Sequence, residues 1–450
     1  MFNIRGRRTA QLCAAALLTA VATTGTVALA GSASADQSQK STAVLGDFLH
    51  SGAVDVKGEG ALDAGTVALT QGGQTMAVYC IDLHHGTEAG VKYTETGWDQ
   101  STLSDNPNRG KIQWILQHSY PVVSADALAK QLNVEGLSED QAAAATQAAI
   151  WHFSDNADAT PEDATAAQLT SWLETNAVPV TEPKPSLQLA PASVAGKSGE
   201  KIGPVTVTTS ANSVDLSLTA PAGVSLVDQN GAAASKAVNG EKLYVKVPAG
   251  AAAGKATVTA TTTTDLPVGR AFKAVDGSSQ TMILAGTAPV EVTAAAEADW
   301  APKGVIPAAV AKEDCTKGGV DVTLTNAGDQ PWTTTVGGQS VTVQPGASTT
   351  VLVKVTEGAT YDITVTGPNG FSQEFKGALK CKPTTPGTGP GPSKAPSSSA
   401  TPSPSPSTGL AETGGGSGTS TIAGIAAALV VAGGAAVFVL RKRAKGTHAA

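Results

Sequence analysis

Two side chains in the first third of the chain have residue types suited to acyl-transfer chemistry. Cys80 lies in residues 79–82, YCID, and Gln147 lies in residues 146–151, TQAAIW. A deprotonated thiol is a strong nucleophile, and the side-chain carbonyl of glutamine is an acyl group. The residues alone leave four interpretations of Cys80 open: a buried inert thiol, an intermolecular disulfide, a nucleophile, or a thiol already bonded to another internal group.

The elements predicted to position these residues are a strand and a helix. Residues 74–83 alternate with period two, which places Cys80 on one face of a strand. Ser138, with Gln141 three residues later, predicts a capping box that begins the helix containing Gln147. The helical spacing puts Gln147 on an apolar stripe. A glutamine there is either a hydrogen-bonded core amide or a residue retained for its chemistry.

The pair of motifs resembles that of the thioester domains of Gram-positive surface proteins, over residues 41–179. In that family the cysteine sulfur is bonded to the side-chain carbonyl of the glutamine, with loss of ammonia. The resemblance implies a thioester between Cys80 and Gln147 that reacts once with an amine, such as a lysine of a target protein, without turnover. It implies no cofactor and no metal. The residues expected to surround the bond are Tyr79, Asp82, Thr146, Ile150 and Trp151.

Two other function classes stay open at this point. One is an enzyme, an acyltransferase or protease, with a cysteine nucleophile and a histidine base, with Asp82 orienting the base. The other is a noncovalent adhesin or a structural coat protein. A metal shared by adjacent histidines is not expected, because neighbours on a strand point to opposite faces. The candidate bases are His84, His85, His118 and His152.

The remaining cysteines of the expected mature chain predict a disulfide. Cys315 and Cys381 bracket a short β-rich segment. In an oxidising compartment, such a pair is most simply a covalent closure of the domain.

Both ends of the chain resemble targeting signals. Arg5, Arg7 and Arg8 precede an apolar stretch and a small-residue site, which predicts a signal peptide over residues 1–35 that is cleaved between Ala35 and Asp36. At the other end, an apolar run at 421–440 is long enough to span a bilayer, and a basic tail follows it.

A pentapeptide just before that run completes the C-terminal pattern. The arrangement resembles a sortase sorting signal, which implies cleavage between threonine and glycine and attachment to peptidoglycan in the cell wall. Sortase and peptidoglycan are thus expected partners, and membrane contact is expected only before sorting. The five residues are Leu410, Ala411, Glu412, Thr413 and Gly414.

Composition and patterning give the domain order. The chain has 450 residues, only 15% of them charged, and a net charge of −7 without a basic patch, which argues against nucleic acid as a partner. We predict a multidomain protein: a mixed α/β domain at 41–179, then two Ig-like β-sandwich domains at 186–298 and 314–382. A disordered Pro/Ser/Thr-rich stalk at 383–409 and the transmembrane helix follow. Residues 299–312 are predicted to be a linker, and Thr160 with Pro161 to open a further helix.

Overall fold

A computed structural model describes residues 35–36 and 41–383. The signal segment before Ala35, the stalk beyond residue 383, the Leu410–Gly414 pentapeptide and the predicted span at 421–440 lie outside the described residues. Within the described part, no helix is both long enough and apolar enough to cross a membrane.

The N-terminal part combines strands with four helices, as its mixed sequence pattern predicts. After the two-residue strand β1 (Ala35–Asp36), the elements are β2 (Thr42–Val56), β3 (Gly60–Gln71), β4 (Gln74–Cys80), β5 (Lys92–Thr96), α1 (Arg109–His118), α2 (Ala125–Leu132), α3 (Glu139–Ser154), β6 (Ala159–Pro161) and α4 (Ala164–Asn176).

The predicted start of the last helix is wrong. Thr160 and Pro161 pair with β2 as part of β6. The helix begins after Asp163, whose side chain accepts a hydrogen bond from the Ala166 N–H at 2.9 Å. A carboxylate is an effective N-cap, so the helix begins after Asp163 and not at the threonine–proline pattern.

A hairpin from far downstream completes the sheet of the N-terminal part. Strands β15 (Ala271–Ala274) and β16 (Met282–Gly286) insert between β5 and β4. The order is β3-β4-β16-β15-β5-β2, and β2 also pairs with β3, so six strands form a closed ring with β6 added to β2. The range 186–298, predicted as one sandwich, therefore contains a hairpin that belongs to the N-terminal sheet.

The middle module packs two sheets face to face. Its strands alternate buried and exposed residues, and both sheets contribute to one apolar core that includes Val207, Leu243 and Trp300. The strands are β7 (Leu187–Ala190), β8 (Ser193–Lys197), β9 (Lys201–Thr209), β10 (Val214–Thr219), β11 (Ser225–Val227), β12 (Lys236–Ala237), β13 (Lys242–Lys246), β14 (Gly254–Asp265) and β17 (Pro289–Ala301). The sheets have the orders β12-β10-β14-β17-β8 and β11-β13-β9-β7.

The C-terminal module begins earlier than the sequence pattern indicates. Most of the predicted linker at 299–312 is strand, since β17 continues to Ala301 and β18 starts at Pro307 and pairs with β19. The Cys315–Cys381 disulfide is present, with the two Cα atoms 5.3 Å apart, as predicted. The strands are β18 (Pro307–Asp314), β19 (Gly319–Asn326), β20 (Trp332–Val336), β21 (Gln339–Val343), β22 (Ser348–Lys354), β23 (Thr360–Thr366) and β24 (Ser372–Ala378).

A buried ion pair joins the inserted hairpin to the C-terminal module. The Lys273 ammonium of β15 donates to both carboxylate oxygens of Glu313 on β18, each at 2.6 Å. The Tyr361 hydroxyl donates to the same carboxylate at 2.8 Å. Lys273 and Glu313 are 7% and 5% exposed, so both charges have left water.

Candidate functional site

Cys80 ends strand β4 in a buried position. It lies opposite Met282 of the inserted hairpin, in an apolar cluster with Val78 and Met76. Tyr79 and Ile81 point into the second cluster, under the helices. This alternation is the one predicted as far as Ile81, but the predicted strand, residues 74–83, ends at Cys80, and Leu83 packs in the same cluster as Cys80 instead of on the opposite face. The strand then ends, and residues 82–85 form a turn closed by a hydrogen bond from the His85 N–H to the Asp82 carbonyl.

Helix α3 places Gln147 in the interior. The predicted capping box is present: Ser138 accepts from the Gln141 N–H, and the Gln141 side chain accepts from the Ser138 N–H. The helix is alanine-rich, and alanine has the highest helix propensity. Small side chains let it pack closely on all sides, so that Gln147 is 0% exposed.

The structure brings Gln147 and Cys80 together. The Gln147 side-chain oxygen accepts a hydrogen bond from the Cys80 N–H at 2.9 Å. The Gln147 amide nitrogen donates to the Cys80 carbonyl at 2.9 Å. The amide group is thus held from both ends by the backbone of the residue that carries the thiol. Its carbonyl oxygen already faces an N–H donor.

The surrounding residues predicted for the bond are all buried, and several are fixed by hydrogen bonds. The Tyr79 hydroxyl donates to the Tyr120 carbonyl at 2.8 Å, and the Thr146 hydroxyl donates to the Ala142 carbonyl at 2.8 Å. Trp151 is 4% exposed, and its indole nitrogen has no hydrogen-bond partner among the described residues. Ile150 and Asp82 complete the buried set.

One ionisable residue that acts on Cys80 was not predicted from the sequence. Asp155, at the C-terminal cap of α3, lies eight positions after Gln147 and so shares its helix face. Its carboxylate accepts from the Leu83 N–H at 3.1 Å and from the Ser154 hydroxyl at 2.6 Å. The eight-residue spacing between Gln147 and Asp155 could have indicated this position, but the sequence pattern did not fix where the helix ends.

Burial and charge disfavour ionisation at this site. Burial raises the pKa of the Cys80 thiol far above its usual value, and the carboxylates of Asp155 and Asp82 raise it further. Burial also raises the pKa of Asp155 to about 7, with a contribution from Asp82, although hydrogen bonds from Ser154 and Leu83 act in the opposite direction. Cys80 is therefore a neutral thiol at neutral pH, whereas Asp155 titrates there.

The four candidate histidine bases have separate partners. The His84 ring lies 3.3 Å from a Glu59 oxygen, and His152 lies 3.9 Å from Glu174. His118 stacks on Trp114. The remaining one, His85, contacts the Ser278 carbonyl at 3.2 Å and the Lys380 ammonium at 3.3 Å. These contacts do not assemble a Cys–His–Asp arrangement from the predicted members.

Known proteins resemble this chain in two segments. A family model described as "Thioester domain" matches residues 77–179, and one described as "Bacterial phospholipase C, C-terminal domain" matches residues 294–378. No curated protein matches the sequence.

Two solved structures match over larger parts. The Bacillus anthracis TIE protein is 14% identical, with a TM-score of 0.29, over 76% of this chain and 64% of that chain, so this chain spans slightly less than two thirds of it. The thioester domain of the Enterococcus faecium TIE86 protein is 16% identical, with a TM-score of 0.28, over 58% of this chain and 97% of that one. Such low scores carry no argument by themselves.

The family model covers the segment in which the Gln147 amide is hydrogen-bonded to Cys80. This match places a thioester domain at residues 77–179 of the chain.

Proposed function

We propose that this protein is a cell-wall-anchored surface adhesin that bonds covalently to amines on a target protein through a Cys80–Gln147 thioester. The observation that carries the proposal is the pair of 2.9 Å hydrogen bonds between the Gln147 amide and the Cys80 backbone. They hold a glutamine acyl group beside a cysteine thiol inside a domain of the thioester family.

The bond forms by displacement of ammonia. The Cys80 sulfur attacks the Gln147 side-chain carbon, the carbon–nitrogen bond breaks, and the nitrogen leaves as ammonia with the thiol proton. The Cys80 N–H, 2.9 Å from the Gln147 oxygen, is positioned to stabilise the negative charge that this oxygen acquires in the tetrahedral intermediate. Burial lowers the activity of water at the site and so preserves the product.

An amine then opens the thioester. Its nitrogen attacks the same carbon, the carbon–sulfur bond breaks, and the sulfur takes up the proton that the nitrogen loses. The products are an amide between Gln147 and the target, and a free Cys80 thiol. The reaction occurs once for each molecule, so the protein is consumed as a reagent instead of turning over.

Anchoring is proposed from the sequence of the chain ends. A sortase would cleave between Thr413 and Gly414 and join Thr413 to peptidoglycan, after a signal peptide has been removed before Asp36. The molecule would then be covalent at both ends, with the wall at one end and a lysine-bearing target at the other.

Intact mass of the secreted ectodomain, residues 36–382, tests the thioester. We expect the mass to lack one ammonia beyond the two hydrogens lost to the disulfide, and methylamine to add at Gln147. Cys80→Ala and Gln147→Ala should each keep the ammonia and fail to add methylamine. The control is Gln168→Ala, which removes an exposed glutamine of α4 and should behave as the wild type. A wild-type mass with no ammonia lost would refute the thioester.

A noncovalent adhesin or a structural coat protein is the second candidate. The same two hydrogen bonds are what a purely structural core glutamine needs, because a buried amide must be satisfied. In that case the Cys80 thiol would be alkylated slowly in the folded protein and completely after unfolding. Methylamine would leave the mass unchanged. A cysteine acyltransferase or protease would instead release product repeatedly in the presence of excess substrate.

A further inference from the structure

Two carboxylates, those of Asp155 and Asp82, raise the pKa of the Cys80 thiol and so act on its charge. Asp82 is 1% exposed, in the turn after β4, whereas Asp155 is partly exposed at the end of α3. The Asp155 carboxylate is bound to the Leu83 N–H, three residues beyond Cys80, at 3.1 Å. It therefore lies beside the turn that follows Cys80, where solvent partly reaches it.

One cation acts on Asp82: burial lowers the pKa of Lys380, whose ammonium donates to the Ser279 carbonyl at 2.7 Å, and the Asp82 carboxylate acts in the opposite direction. Other cations of the neighbouring elements are directed elsewhere. On α1, the Lys111 ammonium lies over the Phe153 ring, 4.8 Å from its centroid, and the Arg109 guanidinium donates to the Ser104 carbonyl at 2.8 Å. Lys57, in the turn between β2 and β3, pairs at 3.5 Å with Asp158, which follows α3. Asp155 makes no salt bridge to any residue in the described ranges.

Amines and water develop different charges when they attack a thioester. An attacking amine becomes positively charged while the carbonyl oxygen becomes negative. When water attacks and loses its proton, no positive charge on the nucleophile balances the negative oxygen. Departure of the thiolate adds negative charge with either nucleophile. A nearby carboxylate therefore stabilises the cationic nitrogen of amine attack, whereas water that has lost its proton offers the carboxylate no cation to stabilise.

We propose that Asp155, assisted by Asp82, makes the Cys80–Gln147 acyl group selective for amines over water. The inference rests on the proposed function. The carboxylate attracts the ammonium group of a lysine, stabilises the positive nitrogen after attack, and accepts its proton before that proton passes to the departing sulfur. Water has no ammonium form for the carboxylate to attract, so it gains only a proton acceptor.

The protonation of Asp155 gives this selectivity a pH dependence. Because burial raises the pKa of Asp155 to about 7, its carboxylate is ionised above that pH and neutral below it. Asp82, in the adjoining turn, raises the pKa of Asp155, and the Asp155 carboxylate in turn raises the pKa of Cys80. The ratio of amide product to hydrolysed product should therefore fall as the pH falls through about 7, beyond the fall caused by amine protonation alone.

The test compares Asp155→Asn with the wild-type ectodomain. The asparagine keeps an oxygen for the Leu83 N–H and an amide for Ser154, so the fold should persist, and the thermal midpoint checks this. Each protein is incubated with methylamine from about pH 5 to about pH 9. Intact mass then separates the methylamide of residue 147 from the carboxylic acid that hydrolysis leaves.

We expect D155N to lower the ratio of methylamide to acid by about tenfold above pH 7 and to remove the inflection near pH 7. Asp158→Asn, an exposed carboxylate three positions later, is the matched control and should leave the ratio unchanged. Asp155→Glu should restore part of the ratio.

The possible failures are distinguishable. An unchanged ratio in D155N, or a loss of both products in equal proportion, would overturn the role of Asp155 and leave the thioester intact. A wild-type protein that never loses ammonia would overturn the proposed function itself.

Discussion

The buried ion pair between Lys273 and Glu313 gives the sharpest stability prediction. Glu313→Ala removes the carboxylate that contacts the Lys273 ammonium at 2.6 Å and also accepts from the Tyr361 hydroxyl. Lys273 is 7% exposed, so its charge would stay buried without a partner. Breaking one side of a buried pair costs about 3–5 kcal/mol, and we expect a loss of that size in the free energy of unfolding.

The double variant Lys273→Met with Glu313→Leu separates the charge from the packing. It removes both ions and keeps apolar volume, so it should fall within about 1–2 kcal/mol of the wild type. Urea denaturation followed by tryptophan fluorescence measures both variants, because Trp332 lies in the core of the C-terminal module. A loss below about 1 kcal/mol in Glu313→Ala, or an equal loss in the double variant, would refute the assignment of a buried, mutually dependent pair.

Three further predictions concern other parts of the chain. Cys315→Ala with Cys381→Ala opens a loop with a sequence separation of 66 and should lower stability by about 4 kcal/mol relative to the oxidised wild type in chemical denaturation, and the reduced wild type should show the same loss. Burial, together with the neighbouring Glu297, raises the pKa of Asp299 to about 7. The folded state therefore keeps a proton that the unfolded state loses above about pH 4. The free energy of unfolding should consequently fall as the pH rises from 4 to 7. Asp299→Asn should remove up to about 2 kcal/mol of that fall, seen in denaturation curves at the two pH values. Ser138→Ala removes the side-chain acceptor of the Gln141 N–H and should cost about 1 kcal/mol, with Ser171→Ala on the exposed side of α4 as a control.

Local signals in the sequence predicted the elements around the candidate site. The alternation around Cys80 fixes the strand face because the side-chain period of a strand is two. The capping box at Ser138 fixes the start of α3, and from that start the position of Gln147 follows. The disulfide was also predictable, because two cysteines that bracket one domain have few alternatives.

Features that depend on distant contacts were beyond such signals. Residues 271–286 read as two short apolar strands, and nothing local distinguishes a strand of the middle sandwich from one inserted beside Cys80. The Lys273–Glu313 contact depends on that insertion, so it could not be predicted from the sequence either. Asp155 was missed for a different reason: its role depends on where α3 ends, and helix ends are the least certain part of a sequence pattern.

The inserted hairpin also determines when the chain can build its reactive centre. Strand β4, which carries Cys80, pairs on one edge with residues 282–286, which a ribosome reaches about 200 residues after the cysteine. At roughly 5–20 residues per second, this edge stays unpaired for about 10 to 40 s during synthesis. The two signature motifs are complete by residue 151, yet the ring of strands around them is not. A fragment that ends at residue 179 keeps both motifs but lacks two of the six ring strands, so it should not be used in place of the whole ectodomain.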